Sequence, residues 1–99
     1  MRRGEVRWYK FSKPDKKRPV LLLTRDSAYE YLGDVMIAPI TTRLREIPTQ
    51  VELSRDEGMP RDCAIGFDHL QTVQKVRLGP LITTLPPQKC RPPEPWDHL

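Results

Sequence analysis

Prolines and glycines divide this chain into short apolar runs, and this limits the possible fold more than any other feature. Eleven prolines and five glycines occur in 99 residues, and little of the sequence has the spacing of an amphipathic helix. The candidate strands are residues 6–11, 20–24, 35–42, 49–53, 63–73 and 81–85. Short strands with such breaks are typical of mainly β proteins, so we predict a small antiparallel barrel with short helical pieces.

One of these runs follows a cluster of cations. Lys16, Lys17 and Arg18 lead through Pro19 into the continuous apolar residues 20–23. Proline lacks an amide hydrogen and favours extended geometry in the residue before it, so the strand should begin near Pro19 with Arg18 facing outward. An unbroken apolar run is compatible with burial on both faces of a sheet. A guanidinium then lies at the mouth of a buried sheet, where phosphate is its natural ligand.

The third candidate strand is interrupted by Pro39. A proline inside a strand indicates a bulge or a sheet edge at that point. We expect this irregularity to re-aim Thr41, two residues further on.

Basic residues are concentrated near the N-terminus. The formal net charge is +4, from 17 Lys and Arg against 13 Asp and Glu. This balance favours an anionic partner, although basicity alone leaves nucleic-acid binding and simple solubility equally open. The first strand and the turn after it should form an electropositive edge, because they carry Arg2, Arg3, Arg7, Lys10, Lys13, Lys16, Lys17 and Arg18.

The two cysteines, Cys63 and Cys90, form no CxxC pair and have no regular spacing. We therefore expect two free thiols and neither a disulfide framework nor a zinc site. The N-terminus lacks the apolar segment of a signal peptide, and no stretch is long enough to span a membrane, so we expect a cytoplasmic protein without a metal or other cofactor.

The composition changes near the C-terminus. Five prolines occur within residues 86–99, and a long helix cannot run through them. We predict a barrel domain over residues 1–85 and a Pro-rich tail over residues 86–99, with at most one helical turn near residues 88–91 before a mobile end. A core this small would gain stability from dimerisation.

Four blocks of the sequence resemble the MazF/PemK toxins, which are endoribonucleases of type II toxin–antitoxin systems. Residues 3–6 (RGEV) followed by an aromatic resemble the family's opening strand, residues 18–23 (RPVLLL) its Arg-Pro-hydrophobic strand, and residues 38–42 (APITT) its strand ending in threonine. A weaker block lies at residues 68–78. Together the blocks cover roughly residues 2–85 in the family's order.

The resemblance implies an SH3-like barrel that forms a homodimer, cuts single-stranded RNA without a metal ion and is held inactive by a MazE-like cognate antitoxin. It assigns the catalytic arginine and threonine to Arg18 and Thr41. Asp68 matches a carboxylate that takes part in the site of some relatives. The RNA-binding set that we predict with them is Lys10, Lys13, Lys16, Lys17, Arg43, His69 and Gln71.

The implied reaction is attack of the ribose 2′-hydroxyl on the adjacent phosphorus, which leaves a 2′,3′-cyclic phosphate and a 5′-hydroxyl. A guanidinium and a hydroxyl can both bind the charge that develops on the phosphoryl oxygens. Arg18 keeps its proton and is better suited to this electrostatic role than to that of a general base. Asp68 would accept the proton or orient Arg18, and His69 is a second candidate for acid–base work.

Several alternatives stay open at this level. If these residues form no site, Arg18 is a solvated charge and Thr41 a common strand residue. Asp68 is then a capping acid and His69 a structural histidine. The chain also lacks the family's Gly-Ser-Glu-Gln-like loop and its C-terminal amphipathic helix, and Gln71 replaces a usual arginine.

Two other functions stay open, one suggested by these departures and one by the barrel that CcdB toxins share with the family. One is an RNA-binding module without turnover. The other is a gyrase poison of the CcdB type, which is disfavoured because Trp96 is followed by Asp97 and not by glycine.

Overall fold

The computed structural model describes residues 1–10, 17–24, 33–44, 47 and 49–91. Within them the chain is almost entirely β structure, as predicted, with short 3₁₀ helices at Arg55–Glu57, Phe67–His69, Lys75–Arg77 and Pro87–Lys89. The seven strands are β1 (Glu5–Lys10), β2 (Lys17–Leu22), β3 (Asp34–Thr41), β4 (Gln50–Leu53), β5 (Cys63–Gly66), β6 (Gln71–Gln74) and β7 (Leu78–Thr84).

All strand pairs are antiparallel, in the order β4-β5-β3-β2-β1-β7, with β6 paired to β3. Strand β3 is the centre of this arrangement. One of its edges pairs with β2, and the other pairs first with β6, over residues 34–37, and then with β5, over residues 40–41. This strongly bent sheet is the barrel-like architecture that the sequence predicted.

The apolar run of β2 is buried on both faces, as predicted. Val20, Leu21 and Leu22 are each 0% exposed. Because successive side chains of a strand point to opposite faces, Leu21 packs in one core cluster with Val6, and Val20 and Leu22 pack in another with Tyr9. The strand thus separates two cores and holds both in place.

The prediction of one strand over residues 63–73 was wrong. β5 ends at Gly66, β6 begins at Gln71, and a 3₁₀ helix, Phe67–His69, lies between them. Ile40 pairs with Ile65 of β5, and Ile37 pairs with Gln71 of β6. The two pairs are thus three residues apart along β3 but six residues apart along the segment that contains β5 and β6. The three extra residues therefore leave the ladder as one tight turn.

This break also accounts for the irregularity predicted at Pro39. Neither β5 nor β6 pairs with Ala38 or Pro39, although β2 does so on the other edge. A residue without an amide hydrogen is tolerated where a ladder is interrupted. The turn Phe67–His69 occupies this gap in the pairing.

The last strand begins three residues earlier than predicted, at Leu78. Pro80 lies inside it, and among the described strands β7 pairs only with β1. A proline is compatible with such an edge strand, because one side of the strand needs no ladder hydrogen bonds. The register between β1 and β7 shifts twice, on either side of Arg7.

After β7 the chain remains on the barrel as far as Arg91. The helical turn predicted near residues 88–91 is the 3₁₀ helix Pro87–Lys89, and Cys90 after it is buried in the same cluster as Val6 and Leu85. The mobile end predicted for the tail falls on residues 92–99, outside the described residues, and the domain boundary at residue 85 stays a prediction. The described part of the chain contains no helix with the length and apolar character needed to cross a membrane.

Candidate active site

The candidate site lies where β2 and β3 separate. Their ladder ends at the pair Val20–Pro39. Two residues beyond it, Arg18 on β2 and Thr41 on β3 occupy matching positions on the same face, because side chains two residues apart in a strand point the same way. β3 leaves β2 at this point and pairs Thr41 with Ala64 of β5. A guanidinium and a hydroxyl thus stand on opposite sides of the opening between two strands.

The opening leads into a cavity of about 1040 Å³. Most of the predicted site residues lie on its wall: Arg18, Thr41, Asp68, Lys17, Arg43, His69 and Gln71. Lys10 is exposed at the end of β1, where it pairs with Lys17, and is not on the wall. Lys13 and Lys16 lie outside the described residues.

Thr41 is held by the backbone that follows it. The backbone N–H of Arg43 donates a hydrogen bond of 3.1 Å to Thr41 Oγ1. A hydroxyl that accepts one bond still has its own hydrogen to donate. The contact therefore fixes the oxygen and leaves a donor available to a ligand in the cavity.

Asp68 is held by a threonine. Thr49 Oγ1 donates a hydrogen bond of 2.7 Å to Asp68 Oδ2, a length typical of bonds to ionised acceptors. The sequence left open whether Asp68 orients Arg18, but in the described part of the chain the two side chains form no ion pair. The carboxylate is exposed on its turn and its contact is with Thr49.

The cavity needs a small residue at Gly66. This glycine pairs with Gln50 of β4, and a Cβ added to it would lie 3.5 Å from the carbonyl oxygen of Pro39 and 3.9 Å from Cδ2 of His69. Both are ordinary contacts, so the position tolerates a methyl group.

The charges on the cavity wall are mostly positive. Among the described lining residues, four cations face one carboxylate: Lys17, Arg18, Arg43 and Arg61 against Asp68. Such a surface attracts a polyanion. Arg61 was not among the predicted site residues, because it lies in the connection before β5 and no local pattern marks it.

An aromatic ring adds a second kind of contact. Trp8 lines the cavity and pairs with Pro19 across the β1–β2 ladder. Trp8 was not among the predicted site residues, because no local pattern in the sequence marks it as more than a strand residue. A partly exposed indole beside cations is suited to stacking on a nucleobase.

Both cysteines are free thiols, as predicted. Cys63 lines the cavity but is only 3% exposed, and its burial, followed by the charges of Asp62 and Glu57, raises its pKa. Burial also raises the pKa of Cys90, against a smaller lowering by Arg3. Neither thiol therefore has the thiolate character of a nucleophile. The described residues contain no group of three His, Cys, Asp or Glu side chains arranged to hold a metal ion.

Comparison with known proteins gives a consistent result. Residues 2–91 match the family described as PemK-like, MazF-like toxin of type II toxin–antitoxin system. The probable endoribonuclease MazF2 of Mycobacterium tuberculosis is 36% identical over 90 residues, which cover 90% of this chain and 86% of that relative. The endoribonuclease MazF3 of the same organism is 38% identical over 65 residues, which cover 66% of this chain and 63% of the relative.

Solved structures show the same fold. The M. tuberculosis toxin MazF-mt6 superposes with a TM-score of 0.77 at 32% identity, covering 86% of this chain and 83% of the other. A MazE–MazF structure from Deinococcus radiodurans gives 0.76 at 21% identity, with 91% and 84% covered. The SH3-like, PemK-like fold predicted from the sequence is thereby confirmed. The chain belongs to the family of PemK-like, MazF-like toxins of type II toxin–antitoxin systems.

Proposed function

We propose that this protein is an endoribonuclease toxin that cuts single-stranded RNA by attack of a ribose 2′-hydroxyl on the adjacent phosphorus. The observation that carries the proposal is the matching position of Arg18 and Thr41 on the two strands that diverge around the cavity. Both groups can reach one phosphodiester bound between the strands. The names of the mycobacterial relatives, which are endoribonucleases, support the same activity.

In this mechanism Arg18 and Thr41 bind the phosphoryl oxygens. The 2′-oxygen forms a bond to phosphorus as the bond to the 5′-oxygen breaks, so a 2′,3′-cyclic phosphate and a 5′-hydroxyl result. Negative charge on the non-bridging oxygens grows in the transition state, and preformed donors at those oxygens lower the barrier. The fork of Arg18 offers several such donors, and the Thr41 hydroxyl offers one.

The reaction also requires a proton acceptor for the 2′-hydroxyl and a donor for the leaving oxygen. Asp68 and His69 are adjacent on the turn Phe67–His69 and both line the cavity. A carboxylate is a proton acceptor, and an imidazole has one donor and one acceptor nitrogen and can act in either direction. We assign the acceptor role to Asp68 because Thr49 holds its carboxylate in place. This scheme uses no metal ion.

The remaining wall residues bind the rest of the substrate. Lys17, Arg43 and Arg61 supply charge for neighbouring phosphates, and Trp8 supplies a stacking surface for an unpaired base. Bases of single strands are available for such stacking, whereas those of a duplex are not. His69 and Gln71 complete the proposed RNA-binding set on the cavity wall, and Lys10 extends it beyond the wall. Lys13 and Lys16 belong to the set on the sequence alone.

The proposed protein partner is a MazE-like antitoxin. A disordered segment with acidic and apolar residues would match the cations and the Trp8 ring, and it would exclude RNA by occupying the same cavity. The complexes of related toxins with antitoxins, from D. radiodurans and from a mycobacterial species, share this fold. A homodimer and a cytoplasmic location complete the proposal.

Cleavage of mixed-sequence RNA in EDTA tests the enzymatic role. We expect discrete fragments with 5′-hydroxyl ends, and we expect Arg18→Ala to reduce their rate of formation by at least roughly a hundredfold, as for removal of an oxyanion-binding donor. Arg77→Ala is the matched control, since Arg77 is exposed and does not line the cavity. Absence of cleavage by the unaltered protein at any protein-to-RNA ratio would refute the proposal, and salt-sensitive RNA binding without products would identify a binding module.

A further inference from the structure

We propose that Thr49 and Gln50, adjacent residues at the entry to β4, position two of the groups on which the chemistry depends, Asp68 and Thr41. The inference rests on the proposed nuclease function and adds two positioning residues to it. Neither residue was among the candidates identified from the sequence. Thr49 bonds directly to Asp68, and Gln50 acts on Thr41 through the backbone of Arg43.

Thr49 holds the turn that carries Asp68 at two points. Its carbonyl oxygen accepts a hydrogen bond of 3.1 Å from the N–H of Phe67, and its hydroxyl donates one of 2.7 Å to Asp68 Oδ2. One residue therefore fixes both the backbone of the turn and the side chain that follows it. An exposed aspartate would otherwise occupy several rotamers, and the second oxygen, Oδ1, would have no defined direction.

Gln50 acts on the other group through one intermediate residue. Its side-chain Nε2 donates a hydrogen bond of 3.2 Å to the carbonyl oxygen of Arg43, whose own N–H donates to Thr41 Oγ1. The amide of Gln50 thus stabilises the conformation of residues 41–43 that fixes the Thr41 oxygen. Gln50 is itself anchored to β5 by its pairing with Gly66.

The two contacts come from neighbouring residues, so the entry to β4 links the two sides of the site. Asp68 lies on the turn between β5 and β6, and Thr41 ends β3. These elements reach the cavity from different parts of the chain, and small errors in their relative position strongly reduce rates of reaction. A shared anchor keeps the carboxylate and the hydroxyl in a constant relation.

A double-mutant cycle tests the role of Thr49. The substrate is an RNA oligonucleotide that contains one cleavage site mapped with mixed-sequence RNA, and its 2′-O-methylated copy, which has no nucleophile, measures binding. Thr49→Val, which keeps the shape and removes the donor, should lower the single-turnover rate roughly tenfold, the size of a lost hydrogen bond to a charged group. Affinity for the methylated copy should change less than twofold, and Thr49→Ser should restore most of the rate.

Coupling separates positioning from a general structural role. In an Asp68→Ala background, Thr49→Val should cause no further loss, because the group that it positions is absent. Gln50→Met should likewise lower the rate in the unaltered protein and have no further effect in a Thr41→Val background. Thr84→Val is the matched control, since Thr84 is exposed on β7 and does not line the cavity.

The outcomes distinguish the two proposals. If the unaltered protein cuts RNA, and the Thr49→Val and Thr49→Ala variants cut it as fast as the unaltered protein does, the positioning role is refuted and the nuclease function stands. The positioning role would also be refuted if Thr49→Val lowered the cleavage rate by the same factor in the unaltered protein and in the Asp68→Ala background. If the unaltered protein cuts no RNA, both proposals fall together.

Discussion

At the residue scale, Gly58 carries the tightest steric requirement of the described glycines. It ends the 3₁₀ helix Arg55–Glu57 with φ of 91°, and a Cβ added there would lie 2.4 Å from Thr83 Oγ1. The same hydroxyl donates a hydrogen bond of 3.0 Å to the carbonyl oxygen of Glu57. The close approach of β7 to this helix therefore depends on the absence of a side chain at Gly58.

Gly58→Ala should lower the free energy of unfolding by about 1–3 kcal/mol, because it combines a strained φ with a steric clash. Urea denaturation measures the change. Gly33→Ala is the control, since nothing lies within 4 Å of its Cβ and its φ is not positive, and we expect it to change the stability by less than about 0.5 kcal/mol. Equal effects of the two substitutions would show that the contact with Thr83 is not a constraint.

At the scale of elements, the segment after β7 contributes to the barrel. Lys89 Nζ donates a hydrogen bond of 3.2 Å to the carbonyl oxygen of Glu52 and lies 3.5 Å from Glu57 Oε1. Cys90 is 4% exposed and packs beside Gly4, where an added Cβ would lie 3.3 Å from its Sγ. Cys90, which follows the 3₁₀ helix Pro87–Lys89, thereby covers part of the core that contains Val6.

Truncation tests this contribution and the predicted boundary at residue 85. A chain that ends at Leu85 should lose roughly 2–4 kcal/mol of stability, because it exposes core surface that Cys90 and the preceding turn cover. A chain that ends at Arg91 keeps every described contact of this segment and should melt at a temperature close to that of the full chain. If both truncations behave alike, residues 86–91 do not belong to the folded unit.

The sequence predicted elements better than it predicted their partners. Apolar runs and proline positions identified β1 to β4, because burial and the lack of an amide hydrogen in proline affect the strand in which these residues lie. The break between β5 and β6 was missed, since it depends on which part of β3 each strand meets. Arg18 and Thr41 were predicted from the prolines beside them and from the family blocks, whereas Thr49 and Gln50 gain their contacts only when β4 pairs with β5.

At the scale of the whole molecule, the chain has a net charge of +4, and the described cavity wall carries four cations against one carboxylate. Each cation that neutralises an RNA phosphate releases counterions, which makes binding depend on salt. Affinity for the 2′-O-methylated oligonucleotide should therefore fall steeply as salt is raised.

Lys17→Gln and Arg61→Gln should each reduce the slope of log K against log salt by roughly 0.7, the value for one contact with a single-stranded phosphate. Fluorescence anisotropy at four or more salt concentrations gives the slope. Arg55→Gln, an exposed cation that does not line the cavity, should leave it unchanged. An identical reduction for all three variants would indicate a diffuse charge effect without defined phosphate contacts.

The three residues that leave the ladder between β5 and β6 have a consequence for how such a protein diversifies. Pairing with β3 stops before the turn and starts again after it, so insertions or deletions there need not shift the rest of the sheet. Asp68 and His69 lie on that turn. A change in the length of this turn would therefore displace two groups of the proposed site while both hydrophobic cores keep their sequences.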